Sequence, residues 1–147
     1  MPNPDPVDAH ILTLLKRDSR ISTADLAEQV GLSTSSCWRR VKALEERGVI
    51  RGYTVDLDDA VMGMQIKAIV HVQLARHDQG LVKQFVQAVR TKEEIRACYA
   101  TTGAADYHLH VVCPDLDAYN RFLEEFLFST GAVTNAQTNL ILRTVKE

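Results

Sequence analysis

Residues 22–50, STADLAEQVGLSTSSCWRRVKALEERGVI, restrict the possible folds more than any other part of the chain. Ser22, followed three residues later by Asp25, forms an imperfect capping box, so a helix is predicted to begin there. Gly31 tolerates the left-handed backbone of a tight turn, and the small side chain of Ala27 lets two helices approach closely. The apolar residues of this helix recur at helical spacing, at Leu26, Ala27 and Val30.

A second, longer helix is predicted after the turn, with Ser33 in position to cap it. Three apolar side chains share its inner face: Cys37, Val41 and Leu44. Four polar side chains point the opposite way, with Ser36 beside them: Ser35, Arg39, Lys42 and Glu46. Trp38 and Arg40 lie on the two flanks. Two helices joined by such a short turn are typical of the helix-turn-helix, in which the second helix lies in the DNA major groove.

Another helix of about three turns is predicted at the start of the chain, beginning after Pro6. The three helices would share a small core, formed by Val7, Ile11, Leu12, Leu15, Leu26, Val30, Leu32, Val41 and Leu44. Gly48 is expected to end the third helix, and the pattern at 49–50 and 53–55 looks extended. Residues 1–52 are therefore predicted to form the DNA-binding domain, with 53–63 as a linker strand or connector.

The helix after the turn supplies the candidate DNA-contacting residues: Ser33, Thr34, Ser35, Ser36, Trp38, Arg39, Arg40 and Lys42. Its hydroxyls stand at the helix start, where backbone N–H groups attract phosphate. The N-terminal half of its outer face has no acidic residue. The alternative is an ordinary helical packing unit with a solvated basic face.

Three side chains of this helix also have structural interpretations. Trp38 is expected to pack against the first helix rather than to stack on a sugar or base. Arg40 either contacts phosphate or pairs with a nearby Glu. Cys37 is expected to be a small core residue and not a ligand.

Composition excludes some classes of protein but does not by itself indicate a DNA binder. The 147 residues have a net charge of −2, and residues 1–52 have 8 basic and 7 acidic side chains. A local patch must therefore attract phosphate, and two copies of it in an oligomer would roughly double the phosphate contacts. No apolar run approaches the ~18 residues that span a bilayer, so no membrane partner is expected. The acidic, proline-rich start is unlike a signal peptide.

Catalysis and metal binding have little support in the sequence. Three widely spaced cysteines without a CxxC pair argue against a disulfide framework or a zinc site, and they fit a reducing cytoplasm. His108 and His110 share one face of a predicted strand and His71 lies on another strand, but satisfied or solvent-facing histidines are expected. No Ser-His-Asp order, phosphate-binding glycine loop or carboxylate pair occurs in a convincing frame for catalysis. We therefore expect no enzymatic activity, cofactor or metal.

Beyond residue 63 the apolar spacing changes from helical to alternating. The predicted elements are, in order, a strand over 65–74, a helix over 81–89, strands over 95–102 and 107–112 around Gly103, a helix after Pro114, and a strand containing Leu140 and Leu142. The order β-α-β-β-α-β is the ferredoxin-like arrangement, with two helices on one face of a four-stranded antiparallel sheet. The whole chain is thus predicted to be α+β, with a ferredoxin-like domain at 64–147.

One face of such a sheet is left without helices. Ile69 and Ile141 are expected on that face, which would suit packing of two sheets in a homodimer.

Over essentially its whole length the chain resembles the Lrp/AsnC (leucine-responsive, or feast/famine) family of bacterial and archaeal transcription regulators. The matching stretches are D-x-x-IL-x-LL-x-x-D-x-R-x-S at 8–22, LAEQVGLS at 26–33, R-V-K-x-LE-x-x-GVI-x-GY at 40–53, C-x-x-x-TG-x-x-DY at 98–107, DL-x-AY at 115–119 and VK at 145–146. The resemblance implies a DNA-binding domain joined to a domain that dimerises, assembles further into tetramers or octamers, and often binds an amino acid between dimers.

The resemblance also implies an effector site at the turn between the two middle strands. Thr102, Gly103 and Asp106 would line it, with Tyr107 adjacent. Backbone N–H groups exposed at glycine can hold an α-carboxylate, and a carboxylate can pair with an α-ammonium group. From residue types alone, a purely structural turn is the more common role of residues such as Gly103 and Asp106.

The sequence therefore predicts an oligomeric, sequence-specific DNA-binding transcription regulator. Its partners would be double-stranded DNA, further copies of the chain, and an amino acid or related small metabolite that modulates it. Two other functions stay open. One is a constitutive architectural DNA binder, and the other is a ferredoxin-like small-molecule-binding protein with a helical module for protein contacts.

Overall fold

A computed structural model describes residues 5–75 and 78–146 of the chain and divides it into two compact units, Met1–Asp56 and Leu57–Glu147. Among the described residues, the first unit contains three helices: α1 (Pro6–Arg17), α2 (Thr23–Gln29) and α3 (Thr34–Glu46). Those of the second unit form four strands and two helices. In neither unit do the described residues include a helix long and apolar enough to cross a membrane.

Each helix of the first unit begins at a side chain that accepts a backbone N–H. Asp5 accepts from Val7 at the start of α1, and Ser22 and Ser33 cap α2 and α3 as predicted. The predicted tight turn is confirmed at Gly31, whose φ is 67°. Because a carbonyl-to-Cβ clash disfavours this conformation in other residues, glycine is the natural residue there.

The three helices of the first unit pack around one small core. Five side chains are fully or almost fully buried at its centre: Ile11, Leu26, Ala27, Cys37 and Leu44. The other apolar residues predicted for this core pack around them. The segment 51–58 forms no strand with any residue that the structure describes, so the predicted extended segment does not become part of a sheet here.

The second unit is a four-stranded antiparallel sheet with two helices. Its strands are β1 (Ile66–Leu74), β2 (Ile95–Ala100), β3 (Tyr107–Cys113) and β4 (Val133–Leu140), in the order β2-β3-β1-β4. Helix α4 (Gln79–Thr91) follows β1. Helix α5 begins at Leu116–Arg121, continues in π-helical turns over Phe122–Leu127 and ends in a 3-10 turn over Phe128–Thr130. The predicted ferredoxin-like fold is confirmed.

Helices α4 and α5 cover one face of this sheet. Alternate residues of β1 are buried under them: Ala68, Val70, Val72 and Leu74. They pack with buried side chains of the helices, namely Phe85, Val89, Tyr119, Phe122 and Leu127. Leu142, expected in the last strand, lies beyond β4 and is 96% exposed. β4 ends at Leu140, opposite Ala68, although β1 continues to Ile66 and the Ile141 N–H still donates to the Lys67 carbonyl at 2.8 Å.

The opposite face of the sheet is mainly polar. In the strand register, the positions next to Ile69 on β3 and β4 are occupied by His110 and Asn139. Neighbouring positions on the same face also have uncharged polar side chains: His71, Gln73, His108, Asn135 and Gln137. Ile69 therefore lies on the predicted open face, but within a surface of imidazole and amide groups and not within an apolar patch.

Candidate DNA-binding surface and effector site

Hydroxyl groups form a connected cluster at the start of α3. Ser33 Oγ accepts the backbone N–H of Ser36 at 3.3 Å and donates to Ser36 Oγ at 2.9 Å. Ser35 Oγ lies 3.3 Å from Ser33 Oγ. Ser33 thus caps one backbone N–H of the first turn, and three exposed hydroxyl-bearing residues stand beside the helix N-terminus: Ser33, Thr34 and Ser35.

The three basic residues of α3 have three different surroundings. The Arg39 guanidinium donates to Ser36 Oγ at 3.4 Å. Within residues 5–75 and 78–146, no carboxylate oxygen lies within 4.0 Å of the Arg39 guanidinium. Among the three basic residues of α3, Arg39 is therefore the one that is not paired with a carboxylate in the described part of the chain.

Lys42 is paired within its own helix. Its Nζ lies 2.7 Å from Glu45 Oε2, and Glu45 also accepts a hydrogen bond from the Tyr53 hydroxyl at 3.1 Å. The hydrogen bond from Lys42 to Glu45 raises the pKa of Lys42 and lowers the pKa of Glu45, because each charge stabilises the other. Both side chains are solvent-accessible, so the pair is weak enough to exchange for other partners.

Arg40 binds two aspartates at the start of α1. Its guanidinium lies 2.7 Å from Asp8 and 3.5 Å from Asp5. Asp8 is only 8% exposed, so its contact with Arg40 is partly buried. The Asp8 hydrogen bond is the main cause of a raised Arg40 pKa, and the Val7 N–H is the main cause of a lowered Asp5 pKa. The sequence left two roles open for Arg40, phosphate contact or pairing with a nearby Glu; Arg40 does form ion pairs, but with aspartates, because α1 brings its own carboxylates to the flank of α3.

Trp38 does not pack into the core. The side chain is 54% exposed, so the expected packing against the first helix is wrong. Cys37 and Leu44 already fill the inner face of α3, and Trp38 is turned about 100° away from Cys37 by helical geometry. An exposed tryptophan thus lies on the same helix as Arg39.

In the second unit, the turn between β2 and β3 is held by several hydrogen bonds. The Thr101 N–H donates to the Asp106 carbonyl at 2.9 Å, and Gly103 has a φ of 115°. The Asp106 N–H donates to the Val72 carbonyl at 2.8 Å, and Asp106 Oδ2 accepts the Leu74 N–H at 2.9 Å. Asp106 therefore fixes the turn against β1, which is the structural role considered for it.

Two cavities lie on either side of this turn. One, of about 450 Å³, is lined by Asp106 and Tyr107 together with Leu74, Gln79, Val82, Lys83 and Ala100. The other, of about 470 Å³, lies on the open face of the sheet and has Thr102 in its wall. Gly103 lines neither of them. The four predicted effector residues are thus close in sequence but do not share one cavity.

Two independent parts of the chain match known families. Residues 67–147 match the model for the Lrp/AsnC ligand-binding domain, and residues 4–51 match the model for a winged helix-turn-helix DNA-binding domain. The HTH-type transcriptional regulator AldR of Mycolicibacterium smegmatis is 36% identical over 137 residues, which cover 93% of this chain and 80% of that protein. The chain belongs to the Lrp/AsnC family of transcription regulators.

Other members of the Lrp/AsnC family share both its sequence and its fold. The leucine-responsive regulatory protein of Escherichia coli K12 is 36% identical over 143 residues, covering 97% of this chain and 87% of that protein. A transcriptional regulator of Neisseria meningitidis, solved in complex with L-Met, has a TM-score of 0.95 and 31% identity, covering 99% of this chain and 94% of that one. An AsnC family regulator of Agrobacterium tumefaciens has a TM-score of 0.91 and 34% identity, covering 97% and 93%.

Two polar residues of this Lrp/AsnC regulator were missed by sequence reasoning. Gln79 and Lys83 lie in the same cavity wall as Asp106. Both belong to α4: Lys83 lies among the polar positions of the predicted helix, whereas Gln79 precedes the predicted start at residue 81. Their spacing of one helical turn indicates a shared face, but not which cavity that face lines.

Proposed function

We propose that the outer face of α3 contacts the DNA duplex and that Arg39 supplies the main unneutralised charge of this contact. The supporting observation is the absence, within the described residues, of any acidic partner for Arg39 beside a cluster of exposed hydroxyls. Phosphate oxygens are attracted to such a helix start, and arginine can also bind a guanine edge with two hydrogen bonds.

The other residues predicted to contact DNA have different roles in this proposal. Ser33, Thr34, Ser35 and Ser36 donate to phosphate at the helix start. Lys42 binds phosphate after it releases Glu45. Trp38 stacks against a sugar or base, since it does not belong to the core. Arg40 mainly anchors α3 to α1 through Asp8, although its partly exposed guanidinium remains within reach of a phosphate.

The test compares single variants in binding to the DNA upstream of the protein's own gene over a range of salt concentrations. Arg39→Ala is expected to lower the affinity at low salt and to reduce the slope of log K against log salt by about 1, because one phosphate or base contact is lost. Arg20→Ala is the matched control, since it removes one exposed charge of the same unit outside α3. Equal affinities and slopes for wild type and Arg39→Ala would reject the proposed surface.

We also propose that the cavity beside Asp106 binds a zwitterionic amino acid with an apolar side chain. Asp106 and Lys83 provide opposite charges for an α-ammonium and an α-carboxylate, and Leu74, Val82 and Tyr107 provide apolar surface. The L-Met complex of the Neisseria meningitidis regulator supports an amino acid of this type. Thr102 and Gly103 belong to the adjoining turn, where they would move when a ligand contacts Asp106.

In this proposal the protein works as a homodimer or larger oligomer in the cytoplasm and catalyses no reaction. Two α3 helices can then contact successive major grooves, which doubles the number of phosphates bound. Light scattering with and without an amino acid measures whether the ligand changes the mass of the assembly. A mass of one chain at DNA-binding concentrations contradicts the oligomer.

A further inference from the structure

We propose that His71 and His108 together form a chelating site for a borderline divalent cation such as Zn²⁺ on the open face of the sheet. The two residues are directly opposite each other on β1 and β3. Their Nδ1 atoms are 2.7 Å apart, and their rings are nearly perpendicular, with centroids 4.6 Å apart. This role is separate from DNA binding and from the amino-acid site.

The separation of the two nitrogens is close to the bite of a metal chelate. Zn²⁺ binds imidazole nitrogen at about 2.0–2.1 Å with tetrahedral angles, so two such nitrogens lie about 3.3–3.4 Å apart. The Nδ1 atoms of His71 and His108 would have to separate by roughly 0.6 Å. Small rotations of the imidazole rings provide this movement, because the χ2 angle of histidine has a broad energy minimum.

Asn139 is positioned to orient the first of these ligands. Its side-chain amide lies 3.0 Å from Nε2 of His71. If the amide nitrogen donates to Nε2, then Nδ1 of His71 carries the proton and donates to Nδ1 of His108, whose own proton is on Nε2. In this assignment each of the two hydrogen bonds has one donor and one acceptor.

Metal binding then needs a change of tautomer but no net loss of a proton. The His71 proton moves from Nδ1 to Nε2 by exchange with water, and Asn139 turns its amide so that Oδ1 accepts it. Both Nδ1 lone pairs are then available to the cation. A hydrogen bond to the distal nitrogen of a ligating histidine is the usual arrangement around protein metal sites.

The surroundings favour a borderline cation over Mg²⁺ or Ca²⁺. Both histidines line the cavity of about 470 Å³, together with Thr102, Gln137 and Asn139, and none of its lining residues is Asp, Glu, Lys or Arg. Imidazole suits Zn²⁺, whereas Mg²⁺ and Ca²⁺ prefer carboxylate oxygens. The described residues contain no group of three or more His, Cys, Asp or Glu able to hold a metal. Water, or the same histidine pair of a second copy, must therefore complete the coordination.

The experiment titrates the tag-free, chelator-treated full chain with Zn²⁺ by calorimetry. Saturable binding is expected for the wild type and should be lost in both His71→Ala and His108→Ala. The matched control is His110→Ala, because His110 lies two residues from His108 on the same strand and faces Tyr99, with ring centroids 5.9 Å apart. Asn139→Ala should weaken binding by about 10-fold or more, as expected for loss of a group that orients a ligand.

Thermal melting without metal first shows that each variant is folded. Either one Zn²⁺ per chain or one per two chains agrees with the histidine pair as the donor, and the ratio identifies whether water or a second copy completes the site. No binding by the wild type, or undiminished binding by folded His71→Ala and His108→Ala, overturns the proposal. Binding lost equally in His110→Ala also overturns the assignment to this pair.

Discussion

Two neighbouring arginines of α3 illustrate that one helix can carry both a stabilising ion pair and a candidate DNA contact. Arg40 is bound by Asp8, a nearly buried carboxylate 32 residues away in sequence, whereas its neighbour Arg39 faces solvent beside a hydroxyl group. A buried carboxylate that loses its partner keeps the cost of desolvation without the compensating charge. Arg40 is therefore expected to matter more for folding than for contact with DNA.

This difference predicts the outcome of a double-mutant cycle on Asp8 and Arg40. Asp8→Ala and Arg40→Ala should each lower the midpoint of urea unfolding, and the double variant should lose less than the sum, because one interaction is removed twice. Fluorescence of Trp38, the sole tryptophan, reports the unfolding of this unit. Arg39→Ala is the control and should leave the midpoint unchanged. Additive losses would show that the two groups do not interact in solution.

At the scale of elements, the turn between α2 and α3 depends on the backbone of one residue. No atom lies within 4 Å of a Cβ built on Gly31, so a side chain there meets no steric neighbour. Its φ of 67° is nevertheless costly for any residue with a Cβ. Gly31→Ala is therefore expected to destabilise the first unit by about 1–2 kcal/mol through backbone strain alone.

Gly31→Asn is the matched comparison, because asparagine enters the left-handed region at lower cost than alanine. Urea unfolding followed by Trp38 fluorescence should rank wild type above Asn and Asn above Ala. An Ala variant as stable as wild type would mean that the turn relaxes to a different conformation.

The starts of the elements could be predicted from the sequence because the signals are local. Ser22 and Ser33 cap helices through N–H groups three residues away, and the alternation along β1 directly reports which side is buried. The exposure of Trp38 could not be predicted in the same way, because it depends on how the three helices pack, which no short window of sequence encodes. The end of β4 was also missed, since its ladder stops at Leu140 although β1 continues to Ile66.

At the scale of the whole molecule, the fold could be predicted from the sequence, but which side chains come together at each site could be predicted only in part. The partners of Arg40, and the contact of His71 with His108 across 37 residues, arise from tertiary register. The turn at 101–107 was correctly located by its motif, yet the structure distributes its residues over two cavity walls. A motif thus indicates a region, whereas the side chains that share a cavity are decided by packing between elements.

The last prediction concerns how a ligand in the cavity beside Asp106 changes the stability of the whole chain. A ligand that binds only the folded state stabilises it by RT ln(1 + [L]/Kd), about 2.7 kcal/mol at 100 times Kd. A thermal-shift screen of the twenty amino acids is therefore expected to find apolar ones that raise the Tm. Ligands without an α-ammonium group should have no effect, because they bring no cation to the Asp106 carboxylate.

Asp106→Asn is the informative variant, since an amide oxygen still accepts the Leu74 N–H while the negative charge is removed. The shift caused by the amino acid, measured from the variant's own Tm without ligand, should largely disappear. Lys83→Gln should reduce the same shift by weakening the contact with the α-carboxylate. Thr102→Ala changes a residue that lines the other cavity, and this variant should retain most of the Tm shift. A full Tm shift in Asp106→Asn, combined with loss of the shift in Thr102→Ala, would indicate that the effector binds on the open face of the sheet.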